Sequence, residues 1–320
     1  HSSPLPSSCA VSSISHRMST SIPSDPPAEL SLPPFSHLLQ SDFYLPLLFY
    51  FSLFRLAALF VQTFLWQGYQ GFKQYRLHNL SICLLHSCLS GGWAFTFFCT
   101  HTKANPARHL LDSIFSSEPR PFQVMFEETI HWYEPWAAHL PIMSIAYFLN
   151  DSIDMAQHEI SRWTAELFLH HAASIVAFLF AVLPHKFVPY AYWALLMEMN
   201  SIFLHIRSIM QISGAATTRP FAYSVIKILN IGTFIIFRFM VQAWQITWGF
   251  TIWGVVHPSY VVIALGGGIM FLTINSILFY RILSSDGFLG EKLATSAGSA
   301  RDEQTFVKAI ATEEKKKKSN

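Results

Sequence analysis

An all-α, polytopic membrane fold is what this sequence predicts, and three observations carry the prediction. Hydrophobic residues make up 52% of the chain and charged ones only 12%, against the ~25% charged that is usual for a soluble domain. Apolar runs approaching the ~20 residues that span ~30 Å of hydrocarbon recur along it. One of those runs also holds Glu198, Asn200, His205 and Arg207. A charge at the centre of a bilayer costs about 2.5–3.5 kcal/mol on insertion scales, so such residues mark a site by default.

Taken in order, residues 1–40 are rich in Ser and Pro and are expected to be disordered. They have no basic n-region followed by an apolar h-region and so do not read as a cleaved signal peptide; Met18 is the expected initiator. Seven spans follow, at 42–66, 79–100, 136–151, 164–184, 187–206, 222–249 and 258–281. The third is shorter than the ~17-residue lower limit for a span. The segment at 42–66 stands as an extra N-terminal helix before a domain at 70–285, and 286–320 is expected to be a disordered cytosolic tail. That tail ends in Lys315-Lys316-Lys317-Lys318-Ser319-Asn320. Its lysines fit attraction to anionic lipid at the plasma membrane, with a dilysine endoplasmic-reticulum retrieval pattern as the alternative.

A cytosolic tail also puts Lys73, Arg76, Arg162, Arg207 and Arg219 on the cytosolic side and the acidic 101–135 loop outside, in keeping with the positive-inside rule. With this topology the intramembrane polar residues share one depth. Asn79 and His86 lie seven apart on one helical face. Tyr147, Asp151 and Asp154 repeat the pattern, as do Glu198, Ser201 and His205. Asn200 and Arg207 form a second stripe on nearly the opposite face. Arg238 lies deep in the sixth span. Together these residues are expected to line a polar cavity opening to the cytosol.

The chemistry available there is limited. His170 and His171 are adjacent, so their side chains point about 100° apart. One can serve as a general base, since an imidazole titrates near neutrality. Repeated HxxxH and HxxHH spacings are lacking, which excludes a di-metal oxygenase, and no metal site is expected. There is no nucleophile elbow, no phosphate loop and no CxxC pair, and Gly266-Gly267-Gly268 reads as close helix packing. Cys83, Cys88 and Cys99 read as free thiols in the membrane. Nothing basic and aromatic-interleaved points to nucleic acid. A receptor or transporter has only the number of spans in its favour.

Several blocks taken together resemble a known family. Asn79-Leu-Ser-Ile-Cys-Leu-Leu-His86-Ser87 with Ser90-Gly91 is similar to the opening of the TLC domain, shared by ceramide synthases and TRAM translocation proteins. Tyr147-Phe-Leu-Asn-Asp151-Ser-Ile-Asp154, Leu169-His170-His171, Glu198 to Arg207 and Leu265 to Arg281 continue the match in order. The resemblance implies six helices around a central cavity. The Glu198–Arg207 block looks closest to the calfacilitin-type subgroup, described as regulators of membrane fluidity that limit polyunsaturated chains in plasma-membrane phospholipids. Ceramide synthases share the histidine pair but also carry a His-Asp-x-x-Asp signature. The corresponding place here reads Met197-Glu198-Met199-Asn200-Ser201.

Two functions are therefore expected in order. The first is a regulator of phospholipid acyl composition that binds a lipid or acyl-CoA, or acts on a lipid-remodelling acyltransferase as partner. The second is an acyl-CoA-dependent acyltransferase with His170 or His171 as base and Glu198 as its orienting carboxylate. No cofactor is expected beyond acyl-CoA as ligand or substrate.

Overall fold

The computed structural model describes residues 31–101, 129–158 and 162–288, and among these all regular structure is helical. The chain is an integral membrane protein. Its helices are α1 (Ser41–Phe64), α2 (Gly71–Thr100), α3 (Pro135–His158), α4 (Arg162–Val182), α5 (Val188–Leu195), α6 (Glu198–Ser213), α7 (Pro220–Thr251) and α8 (Pro258–Ser285). Met18, most of the 101–135 loop and the terminal lysines lie outside the described residues.

Packing runs in a closed circuit, α2 to α3, α4, α8, α7, α6 and back to α2, with α1 outside against α2 and α3. α1 is apolar around most of its circumference, with Arg55 as its mid-helix charge, and Leu48, Phe49, Leu56 and Phe60 remain exposed. A helix with no polar face is one that meets lipid. α3 is the opposite case, with Leu140 through Phe148 buried without interruption.

Among the described residues, five helices are long and apolar enough to cross a membrane: α1, α2, α4, α7 and α8. The remaining two expected spans are the polar, enclosed ones. The 136–151 segment is not short, because its helix continues to His158 and reaches 24 residues, about 36 Å at ~1.5 Å per residue. Asp151 and Asp154 sit inside that helix with side-chain partners on α2, so they do not end it. The 187–206 segment is not one helix. It breaks into α5 and α6 at Leu196–Met197, which makes Glu198 the first residue of α6. A carboxylate in a first helical turn is favoured by the exposed N–H groups and the helix dipole.

Gly91 on α2 accounts for the close seating of that break. A Cβ there would lie 2.9 Å from Met199 N and 3.0 Å from Glu198 C, both backbone atoms. Of the three consecutive glycines in α8, only Gly268 makes a comparable approach, to Ile246 of α7 at 2.8 Å.

Two tail boundaries differ from expectation. Within the first forty residues, Phe35–Leu39 forms one 3-10 turn. It is fastened to the α4–α5 connection by His37 Nδ1, 2.8 Å from Leu183 O, and by an edge contact of Phe35 on Phe180. At the other end, Asp286 is ordered and its side chain is fully enclosed.

Gly91→Ala should cost about 1–3 kcal/mol by overpacking against immovable backbone. The neighbouring Gly92→Ala, with nothing within 4 Å of its added carbon, should leave the thermal midpoint in detergent unchanged. Equal midpoints for the two variants would refute the close approach.

Candidate functional site

The polar residues of α2, α3, α4 and α6 meet inside the circuit. On α2, Asn79, Cys83, His86, Ser87 and Ser90 are all buried along one helical face. His86 is 1% exposed. Its ring stacks on Tyr147 at 3.9 Å between centroids, 7° from parallel, and Phe54 of α1 closes over the pair. His86 Nε2 is 3.2 Å from Ser144 Oγ, and its Nδ1 is 4.0 Å from Glu198 Oε2. Ser87 Oγ donates to the same Glu198 oxygen at 2.7 Å. Glu198 thus joins α6 to α2.

Two turns back along α2, Asn79 Nδ2 donates to Asp151 Oδ1 at 2.6 Å and reaches Asp154 Oδ2 at 3.5 Å. The other Asp151 oxygen lies 3.7 Å from His171 Nε2, and His171 Nδ1 is 3.2 Å from Ser152 Oγ. The carboxylate beside His171 is therefore Asp151. Glu198, expected in that role, is engaged with Ser87 and His86 instead. A one-dimensional pattern could not decide this, since both acids have histidine-compatible spacings.

A second cluster surrounds Arg238 in the Ile235–Met240 π stretch of α7. The guanidinium is buried and donates through Nε to Asn200 Oδ1 at 2.7 Å, through Nη1 to Asn275 Oδ1 at 2.7 Å and through Nη2 to Ser201 Oγ at 2.8 Å. Phe234 packs on it at 5.3 Å. All three acceptors are neutral, and Glu198, one turn before Ser201, is the negative charge acting on it. Asn200 and Ser201, expected on different stripes of α6, are drawn to the same cation. Asn200 Nδ2 in turn donates to Asn230 O at 2.9 Å, and Asn275 Nδ2 donates to Gln242 Oε1 at 3.0 Å.

Arg207 is not part of either cluster. Its Nε donates to both oxygens of Asp286 at 3.1 Å and its Nη2 to Oδ1 at 2.7 Å, with further bonds to Gln211 and Ser285. This enclosed bidentate pair clamps the end of α6 to the end of α8. Asp154 sits at the edge, 3.8 Å from His158 on its own helix.

His170 and His205 differ from the other histidines of the site. Neither ring has a hydrogen-bond partner among the described residues. His170 is edge-on to Phe271 at 4.9 Å, and both rings lie within electrostatic reach of Glu198 and Arg238. Their ring nitrogens are left for something else, as is the buried Nδ2 of Asn230 beside the Arg238 cluster.

Sequence reasoning passes over Ser144, Ser152, Gln242 and Asp286. Ser144 falls seven before Asp151 and so extends the Tyr147–Asp151 stripe; Gln242 falls four after Arg238 on the same face. Both signals are present in the chain. Asp286 lies beyond the last apolar run and carries none.

A family model described as the TLC domain matches residues 76–284. The chain is similar to TLC domain-containing protein 2 of Danio rerio, 31% identical over 215 residues that cover 66% of this chain and 77% of that protein. It is 29% identical over 211 residues to TLC domain-containing protein 2 of Homo sapiens, covering 65% and 70%. With TLC domain-containing protein 1 of Gallus gallus it shares 28% identity over 224 residues, covering 68% and 76%. No solved structure matches the chain.

Replacing Arg238 by Met removes three interhelical bonds, roughly 2–5 kcal/mol at ~0.6–1.7 kcal/mol each. A double-mutant cycle with Asn275→Leu should show coupling. The second change should cost less in the Arg238→Met background than alone, because the stranded acceptor goes with it. Strict additivity of the two melting shifts would argue against the bond.

Proposed function

Since the chain belongs to the TLC domain family, we propose that it regulates the acyl composition of membrane phospholipids, and so membrane fluidity. It does this by binding a lipid or acyl-CoA in the polar centre formed by α2, α3, α4 and α6. The observation that carries this reading is the pairing pattern of the histidines. His86 and His171 have polar side-chain neighbours in Ser144, Glu198, Asp151 and Ser152, while the rings of His170 and His205 have no hydrogen-bond partner beside Glu198 and Arg238. An acyl ester or thioester presents carbonyl oxygens that an imidazole N–H satisfies, and both rings are only partly enclosed, which leaves a ring N–H for such a ligand. The likeness of the Glu198–Arg207 block to the fluidity-regulating subgroup supports the same reading. So does the missing His-Asp-x-x-Asp signature.

One observation favours the acyltransferase as a second reading. Asp151 lies beside His171 and is itself fixed by Asn79, an orienting arrangement that a general base uses. In that mechanism His171, held by Asp151, or His170 would take the proton from an acceptor hydroxyl or amine. We assign the protein to the plasma membrane, with the endoplasmic reticulum as the compartment a working dilysine code would give.

Lipid profiles of cells lacking the protein, rescued with wild type or with His170→Ala/His171→Ala, test these readings. A regulator predicts partial rescue by the double variant at equal abundance, and no acyl transfer from acyl-CoA to an amine or lysolipid by the purified protein. Transfer by purified wild type that falls by about 10²–10⁴ in the variant would replace the regulator with the enzyme.

A further inference from the structure

Outside the polar centre, α1 and α6 both lean on α2 without packing closely on each other. The space between them is a groove of about 790 Å³, open along its lipid side, within the ~300–1,000 Å³ range of small-molecule sites. Leu53, Ala57 and Phe60 of α1 form one wall, and Ile206 and Met210 of α6 the other. Leu85 of α2 contributes to the floor. Ser81 is the polar residue there, and its hydroxyl is occupied, accepting from Trp66 Nε1 at 2.9 Å and donating to Leu77 O at 2.8 Å. None of the polar-centre residues lines this groove.

Its length fits one leaflet. From Leu53 to Leu65 the groove follows twelve residues of α1, about 18 Å at ~1.5 Å per residue. Half of a ~30 Å hydrocarbon core is about 15 Å. A groove of that depth, lined by side chains and facing lipid, takes in an extended chain from the level of the head groups to near the midplane.

The closed end of the groove is built from residues that belong at a membrane surface. Trp66 holds a left-handed backbone conformation (φ 60°) in the α1–α2 turn, a strained state for a residue with a bulky side chain. The strain keeps its indole across the groove end, tied to Ser81. Trp66 packs edge-on against Tyr69 at 5.8 Å, and Tyr69 donates to Ser213 O of α6 at 2.9 Å, tying α6 to the α1–α2 turn at that closed end. Lys73 Nζ then lies over the Tyr69 ring at 5.0 Å and makes no ion pair with any described residue. Tryptophan and tyrosine mark the head-group level of membrane proteins, and a lysine there without a carboxylate attracts an anion.

We propose that this groove binds one acyl chain of an anionic glycerophospholipid from the leaflet on the side of the α1–α2 turn, with the lipid phosphate region at Lys73. The chain fills the wall between α1 and α6. The aromatic pair seats the glycerol backbone, and the net negative head group is selected by the lysine. The site is separate from the polar centre and does not rest on the function proposed for it.

The full chain in nanodiscs of phosphatidylcholine, doped with phosphatidylserine carrying a diazirine midway along one acyl chain, tests this. Photolabelling should map to peptides of α1, α2 and α6 that line the groove. Ala57→Trp fills the space and should reduce that labelling about tenfold, the loss of roughly 1.4 kcal/mol; Leu85→Phe, a milder filling, serves if the first variant does not fold. Val262→Trp, on an exposed face of α8, should leave it intact. Lys73→Glu should lower labelling by the phosphatidylserine probe about fivefold and spare the same probe on a phosphatidylcholine head group. Labels spread evenly over the exposed faces of α4, α7 and α8, or unaffected by both filling variants, would overturn the site. Equal response of the two probes to Lys73→Glu would overturn the head-group selection. Displacement by a free fatty acid or acyl-CoA but not by excess phosphatidylserine would overturn the choice of lipid.

Discussion

Arg238 has to be satisfied without water. In hydrocarbon no solvent completes a hydrogen bond, so each buried polar group needs a partner within the protein. Its guanidinium takes acceptors from α6 and α8 at once, and this sets where three helices stand. Lipid tails are as apolar as leucine, so burial of Leu and Phe does little to choose one arrangement of helices over another. Directional bonds do choose. Once Arg238 is held by Asn200, Ser201 and Asn275, the amides of those residues are turned towards Asn230 and Gln242, and α7 is locked to both neighbours.

α6 carries the consequence across the molecule. Its first turn presents Glu198 to Ser87 and His86 of α2, its second face serves Arg238, and its third turn delivers Arg207 to Asp286. The interruption at Leu196–Met197 permits this. The winding tightens there, with Met199 N–H bonded to Leu196 O and Asn200 N–H to Met197 O at 3.1 Å, and the backbone of Glu198 and Met199 comes against Gly91. The same helix forms a wall of the lipid-facing groove, so α2 and α6 stand between two environments of contrasting polarity.

The helical class, the exposed character of 42–66 and the order of the polar stripes are legible from composition and period. Which stripe meets which is not. Periodicity says that Asn79 and His86 share a face, yet says nothing of whether that face looks at Asp151 or Glu198; here Asn79 takes one and His86 the other. His171 finds its carboxylate on α3 rather than α6 for the same reason. Spacing groups Arg207 with Asn200, but two turns of helix separate them along the axis, far enough for different neighbours. The break before Glu198 is hidden because Leu-Leu-Met-Glu-Met contains no glycine or proline. Tertiary contact with α2, rather than local propensity, ends α5.

The π stretch at Ile235–Met240 gives α7 one place where its length can change. Such a turn holds one residue more than an α-helix needs over the same rise. Deleting a single residue within it would restore ordinary winding and leave the faces on either side where they stand, with Gln242, Gln245 and Trp248 still buried. The widened turn that carries Arg238 to Asn200, Ser201 and Asn275 is what would be lost. A gap beyond it has no such slack and would turn everything that follows by about 100°. Among natural variants of this chain, alignment gaps should therefore avoid 241–251 even where side chains differ freely.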